Sequence, residues 1–387
     1  MKMAGLMKIL NLFSNWKWTG PAEPALNLAL MLKKRGHQIS FLSGKTPPGE
    51  EESLEKVAKE RGITLDTRLF LKKHFNILFN LFDLNKLIHL IKTENFDFIH
   101  THLTNDHLLA ALAIRASGKQ IPLVRTCYEG DDIKVDWRNK LLFNHFPVGL
   151  IMVSDKGKNF ILDNFSIATQ RVWSVDTGVD IKRFNPEVIN RDFRTRLRIL
   201  PEDIVVGVVA RIQRHRRFEI LLQAMKMAIK EIPRIKLMVI GRGTHMNELA
   251  INPAKEMGID DNIIFTGYRK NDYTDTLSCM DIKVFLVPGS DGSCRAVKEA
   301  MAMGKPVIAA RRGMLPEIIG DGKEGMVIDD SSFNLAKAML NLAKNDDLRR
   351  KMGEAALYKA RTVFSLDTQA DAVEKVYQKL SSNLSKE

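Results

Sequence analysis

Pro288-Gly289-Ser290-Asp291-Gly292-Ser293-Cys294-Arg295-Ala296-Val297-Lys298-Glu299-Ala300-Met301-Ala302-Met303-Gly304-Lys305-Pro306-Val307-Ile308 is the stretch on which the fold turns. It follows an apolar run, Ile282–Val287, crosses a short loop of small residues and enters a helical segment at Cys294–Met303. Gly304 supplies a stop, and Pro306–Ala309 starts a second apolar run. Strand, loop, helix, glycine and strand in that order make one βαβ unit of a parallel sheet. The loop leads into a helix N-terminus, where free N–H groups and the helix dipole together attract an anion. Asp291 and Glu299 stand eight residues apart, which places one acid on the loop and the other on the helix, facing the same side. The apolar neighbours Ala296, Ala300 and Met301 set Glu299 apart from an ordinary surface residue.

The same rhythm extends in both directions. Strands are expected at Lys8–Phe13, Gln38–Leu42, Phe98–Thr101, Leu123–Thr126, Gly149–Val153 and Val172–Val175. A second set is expected at Ile204–Val209, Ile235–Ile240, Ile263–Phe265, Ile282–Val287, Pro306–Ala309 and Met326–Ile328. Amphipathic stretches such as Ala22–Arg35 and Phe218–Lys230 separate them, as in α/β folds. Asp176-Thr177-Gly178-Val179-Asp180 reads as a hinge between the sets. The expectation is therefore two Rossmann-like domains, residues 1–172 and 173–367, with parallel sheets facing a central cleft at the strands' carboxyl ends. A last amphipathic helix, about 368–387, packs back on the first domain.

Composition narrows the class. At 387 residues, with 45% hydrophobic and 27% charged residues, the chain has the make-up of a soluble globular protein. No apolar run approaches the ~20 residues of a membrane-spanning helix, and the run from Lys8 reads as a first strand, not a signal peptide. Three cysteines without paired spacing fit a reducing cytoplasm and argue against a zinc site. The net charge of +13 reads either as a solvated basic surface or as one that draws anions such as phosphorylated substrates or acidic lipid headgroups. Nucleic acid is not expected, because no nucleic-acid-binding motif is present.

A second stretch, Gly207-Val208-Val209-Ala210-Arg211-Ile212-Gln213-Arg214-His215-Arg216-Arg217-Phe218, concentrates cations between a strand and a helix. Guanidinium groups suit a diphosphate because each donates two parallel, charge-assisted hydrogen bonds.

With these residues in view, the 288–308 block resembles the E-x7-E region of family-four glycosyltransferases, retaining enzymes of the GT-B fold. Those enzymes commonly carry Glu-Gly-Phe-Gly before the helix and Glu-Ala-Met-Ala within it. Here Asp291 replaces the Glu, Ser293 the Phe and Cys294 the second Gly. The resemblance implies that Glu299 binds the donor's ribose and that Asp291, Gly292, Ser293 and Cys294 face the transferred sugar and its phosphate. It implies pyrophosphate contacts at Arg211 and Arg216, with Arg214 or Arg217 able to share the role. Further matches follow in family order: Gly178-Val179-Asp180, Ile240-Gly241-Arg242-Gly243 and Gly313-Met314-Leu315-Pro316-Glu317. Gly241 and Gly243 are thus placed near the nucleotide, although a Gly-x-Gly by itself reads as a tight turn.

In the first domain Gly20 lies where such enzymes keep a glycine beside the donor phosphates, although the position reads equally well as a plain βα turn. His100 and His102 fall on one side of a strand by alternation, and the resemblance makes His102 the contact to sugar or acceptor. No metal site is expected from His100, His102 and His107, which lack further ligands. Tyr128 stands where the family often has His, so Tyr128 or Glu129 is an acceptor or donor contact, with Asp131 and Asp132 following. The segment Thr67–Lys92 is apolar, aromatic and basic. Two readings stay open for it: a surface that lies on an anionic membrane, or a packed helix pair with solvated lysines.

The implied activity is hexosyl transfer from a nucleotide sugar, UDP- or GDP-linked, to a glycan or lipid-linked acceptor in cell-envelope polysaccharide or lipopolysaccharide synthesis. It proceeds with retention and without a metal or other cofactor, at the inner face of the cytoplasmic membrane. Asp291, His102, Arg211 and Arg216 would form the catalytic set. Alternatives on the same fold are an epimerase, a phosphorylase or a non-catalytic nucleotide-sugar or glycan binder.

Overall fold

Each apolar run named above becomes a strand. In the first set these are β1 (Lys8–Phe13), β2 (Gln38–Ser43), β3 (Phe98–Thr101), β4 (Leu123–Cys127), β5 (Gly149–Met152) and β6 (Val172–Ser174). In the second they are β7 (Ile204–Val209), β8 (Ile235–Ile240), β9 (Ile263–Gly267), β10 (Ile282–Phe285), β11 (Val307–Ala310) and β12 (Gly325–Ile328). The computed structural model describes residues 5–50, 52–129, 133–146, 149–189, 192–288 and 294–384. These divide into two units: the chain up to Gly178 with the last helix, Leu366–Leu384, and the described residues from Val179 to Ser365.

The first unit is built on a six-stranded parallel sheet of order β2-β1-β3-β4-β5-β6. Strand order reverses between β1 and β3, and such a reversal opens a crevice at the carboxyl ends of the two strands. Both faces are covered, which is why the strands read as nearly continuous apolar runs. Leu10, Ile99, Leu123 and Leu150 pack against the helices on one face. Ile9, Phe98, Val124 and Ile151 on the other face meet Ala370, Val373, Val376 and Tyr377 of the last helix. Arg35 fastens that helix further through Asp371 and Glu374 at 2.6 and 2.8 Å. Gly178 lies against it so closely that a Cβ there would stand 2.7 Å from the Leu366 Cα.

The second unit has a parallel sheet of order β12-β11-β10-β7-β8-β9, with its reversal between β7 and β10. The buried stripe of helix Phe218–Glu231, which includes Leu221, Leu222, Met225 and Ala228, covers one face. Helix Arg295–Ala302 covers the other with Val297, Ala300 and Met301.

Candidate functional site

In the second unit the reversal point is where the sequence placed the donor site. The loop after β7 carries Arg211, Arg214, Arg216 and Arg217, and the turn Arg214–Arg216 brings their side chains round before helix Phe218–Glu231. These cations differ in what they hold. Arg214 pairs with Glu248 at 2.6 Å, and Arg217 with Glu219 at 2.9 Å and Asp330 at 3.8 Å. Arg216 instead reaches across to the end of β10 and donates from Nη1 to the Val287 carbonyl at 2.9 Å. Its Nε is buried with no acceptor among the described residues. Burial pushes the Arg216 guanidinium below its ordinary value, the Cys294 thiol opposes this, and the charge of Arg211 adds to it. Arg211 is exposed. Arg216 thus crosses the crevice with donors to spare, and the two outer arginines are already occupied.

Gly241 and Gly243 hold this loop in place. Ala210 N donates to Ile240 O at 3.1 Å, and Ile212 N to Arg242 O at 3.2 Å. A Cβ on Gly241 would fall 2.0 Å from Ala210 O, and one on Gly243 would fall 2.2 Å from Ile212 O. The Gly-x-Gly therefore lets two backbones touch, which fixes the position of the arginine loop.

Helix Arg295–Ala302 begins at Cys294, which is buried and left-handed with φ +49°. Glycine adopts that conformation without strain, so the chain follows a glycine-type path here although it carries a cysteine. Glu299 is only 4% exposed. Its carboxylate accepts from Tyr273 Oη at 2.7 Å and pairs with Arg295 Nε at 3.2 Å. Burial and then the Glu299 charge push the Tyr273 phenol well up. On the same side of β10, Lys283 is fully buried, and its Nζ has no hydrogen-bond partner among the described residues. Burial pushes Lys283 down to about 7 against the pull of Glu299. Asp291, Gly292 and Ser293 lie outside the described residues.

In the first unit the reversal point holds a buried polar cluster. His100 and His102 stack at 4.6 Å, on one side as alternation required. His100 bonds Tyr377 Oη at 2.7 Å and Thr126 Oγ1 at 2.8 Å, and burial brings it down to about 3. His102 is 0% exposed, with Nδ1 at 3.2 Å from Tyr128 Oη and Nε2 at 3.3 Å from Asn11 Oδ1. This differs from the expected open contact at His102. Both ring nitrogens are engaged inside the unit, and Tyr128, also expected at a ligand, is itself fully buried. Burial keeps His102 well below its ordinary value, so the ring is neutral. Asp106 ties the two sides of the reversal together, accepting from Ser14 N at 2.8 Å, Leu103 N at 2.8 Å and His102 N at 3.2 Å. Burial pushes its carboxyl up to about 7 while those N–H donors pull it down.

Glu129 is half-buried and pairs with Arg125 at 3.7 Å. His107 sits beside Arg125, Nδ1 to Nη1 at 3.4 Å, apart from the other two histidines. Gly20 lies in the half-buried turn before helix Ala22–Lys34. Asp131 and Asp132 lie outside the described residues.

Asn11, Asp106 and Arg125 in the first unit, and Tyr273 and Lys283 in the second, were not singled out from the sequence. A signal existed for Arg125 and Lys283: each is the lone cation in the middle of a buried parallel strand, where charge is rare unless it has a purpose.

Both halves of the chain are similar to known proteins. The sequence profile of the glycosyl transferases group 1 matches residues 190–358, and that of glycosyltransferase family 4 matches residues 20–183. A D-inositol 3-phosphate glycosyltransferase of Corynebacterium jeikeium is 32% identical over 242 residues, 60% of this chain and 57% of that relative. The UDP-Gal:alpha-D-GlcNAc-diphosphoundecaprenol alpha-1,3-galactosyltransferase of Escherichia coli is 22% identical over 362 residues, 88% of this chain and 92% of the relative. Among solved structures, Anabaena HepE in complex with UDP superposes with a TM-score of 0.81 at 17% identity, covering 97% of this chain and 100% of that one. Two profiles matched in sequence order, on two parallel sheets of the GT-B kind, show that the chain belongs to the family-four, group 1 glycosyltransferases and is a glycosyltransferase.

Proposed function

We propose that the chain transfers a hexose from a UDP-sugar, with retention at the anomeric carbon, to a lipid-linked glycan acceptor in cell-envelope synthesis. It works without a metal at the inner face of the cytoplasmic membrane. The observation that carries this reading is Arg216, which spans the reversal point of the second sheet and whose buried Nε has no acceptor among the described residues. A diphosphate oxygen is the acceptor that such a group lacks. As the glycosidic bond breaks, charge grows on the diphosphate, and preset cations stabilise it at little reorganisation cost. Arg211, Arg216 and the start of helix Arg295–Ala302 supply that stabilisation where a metal-dependent transferase uses a divalent ion.

Glu299 holds ribose after exchanging the Tyr273 hydroxyl for a sugar hydroxyl, and Asp291 faces the transferred hexose. The half-buried Glu129 is placed on the acceptor side and Gly20 near the phosphates, while the buried His102 and Tyr128 only support the floor of the first unit's crevice. The base is assigned to uracil because the Escherichia coli relative is named for UDP-Gal and the Anabaena structure contains UDP. The acceptor class follows the diphosphoundecaprenol in that relative's name.

A thermal-shift series with UDP, GDP and ADP tests the donor, and UDP is expected to stabilise most. Glu299→Gln should weaken UDP and UDP-sugar alike. Asp291→Asn should spare UDP affinity and lower turnover. Wild-type turnover in both Asp291→Asn and Asp291→Glu would remove Asp291 from the reaction.

A further inference from the structure

Helix Ile77–Thr93 is inside out over its first two turns. Its inward positions there are polar: Asn80, which donates to Asn105 Oδ1 at 2.8 Å, and Asp83, which accepts from Phe70 N and Leu71 N at 2.8 Å each. Leu87 and Ile91 restore an apolar inner face only later. The outward positions meanwhile are Ile77, Leu78, Leu81 and Phe82, and Phe75 precedes them. Leu78 is 75% exposed and Phe75 64%. Phe70 joins the patch, its ring 4.6 Å from Phe79 and 5.0 Å from Phe82. Soluble chains rarely leave so many large apolar groups together in water, and such patches mark contact surfaces.

A second group lies at the start of helix Trp137–His145, where Trp137 is 71% exposed and Val135 and Leu141 are exposed beside it. In a parallel sheet, helices leading into the next strand begin at the carboxyl edge of the strands. The Asn80–Asn105 bond places the first turn of Ile77–Thr93 level with that of Thr104–Ser117. Both apolar groups therefore belong to the same edge of the first sheet.

The charge around them is mainly basic, although Arg68 pairs with Asp66 at 2.6 Å. Between Thr67 and Lys92 the basic residues are Arg68, Lys72, Lys73, Lys86 and Lys92, and the single acid, Asp83, is buried. Lys134, Arg138 and Lys140 flank Trp137, and the intervening Asp136 is used to cap its helix. Lys86 lies 4.4 Å from the Phe82 ring centroid, and Arg138 5.4 Å from that of Trp137. Apolar and aromatic tips within a ring of lysines and arginines complement an anionic lipid surface, where tips enter the acyl boundary and cations meet headgroups. The helices need not cross the bilayer, and among the described residues none is long and apolar enough to do so.

We infer that Phe75–Phe82 and Trp137–Leu141 form a two-point wedge by which the first unit docks on an anionic bilayer. Its purpose rests on the lipid-linked acceptor proposed above; the docking itself is measured without donor or acceptor, so either can fail alone.

The full chain is floated with vesicles of phosphatidylcholine alone or mixed with phosphatidylglycerol. Binding is expected only to the mixed vesicles, falling as salt rises, with a blue shift of tryptophan emission that Trp137→Phe removes. Phe75→Ser with Leu78→Glu should reduce binding at least about tenfold, and Lys72→Glu with Lys73→Glu should do so comparably. These side chains are exposed, so the melting temperature and slow UDP release from the donor should stay at wild-type values. Negligible binding to both vesicle types at low salt overturns the inference. So does concentration-dependent dimerisation, abolished by Leu78→Glu, in a chain that ignores vesicles, because a second copy would then cover the patch.

Discussion

Gly241→Ala tests whether the Gly-x-Gly after β8 serves backbone packing. The new Cβ would stand 2.0 Å from Ala210 O, where ordinary contact begins at 3.4 Å. One loop must therefore retreat by about 1.4 Å. That displacement carries the 3.1 Å bond from Ala210 N to Ile240 O and the 3.2 Å bond from Ile212 N to Arg242 O beyond bonding range. Two backbone bonds at about 1 kcal/mol each, plus about 1–3 kcal/mol for holding a Cβ-bearing residue at a glycine-type conformation, give a loss of roughly 3–5 kcal/mol. The φ concerned is +149°. Gly258→Ala is the control, since its φ is +65° and a Cβ there meets nothing within 4 Å. Only the left-handed penalty of about 1–2 kcal/mol applies to it. Urea unfolding of the two variants measures the difference, and UDP titration of folded Gly241→Ala should show weakened binding because Arg211 moves with its loop. A Gly241→Ala variant that loses no more stability than Gly258→Ala would refute the packing argument.

Three further outcomes are expected. Arg211→Ala and Arg216→Ala should each weaken UDP binding by about 1.5–3 kcal/mol, whereas Arg214→Ala, which removes an exposed pair with Glu248, should change it by less than about 0.5 kcal/mol. Calorimetric titration distinguishes them, and equal losses would show that the ion pairs do not sort the arginines. Cys294→Gly should be more stable than Cys294→Ala by about 1 kcal/mol, the reverse of the usual helix order, because φ at 294 is +49°. Thermal melts showing alanine the better residue would contradict the left-handed assignment.

Lys283 supplies the pH test. Burial holds it down to about 7 from 10.5, so between those values the unfolded chain binds the proton and the folded chain does not. Stability therefore rises with pH across that window. Lys283→Met should stabilise by about 1–4 kcal/mol at and below pH 7, with the gain fading toward pH 10.5. A gain that stays constant with pH would show that Lys283 does not titrate there.

Local sequence determined the elements of this protein, because a buried parallel strand needs a short apolar run and its helix needs an apolar stripe. Ile204–Val209 and Phe218–Glu231 satisfy these needs from their own residues. The concentration of arginines after β7 was legible for the same reason, since charge and spacing are properties of a few neighbouring residues. Tertiary structure alone decided which arginines remain available. Glu248 and Asp330, which occupy Arg214 and Arg217, come from other elements of the second unit. The function of Gly241 was hidden likewise, because its reason is the carbonyl of Ala210 on another strand's loop. Alternation put His100 and His102 on one side but could not say what covers it; the cover includes Tyr377, which arrives 277 residues later. The apolar run at Phe75–Phe82 looked equally suited to core and surface. Periodicity counts apolar positions without knowing which neighbour receives them, and here Asn105, Phe70 and Leu71 turned the polar positions inward and left the apolar ones outside.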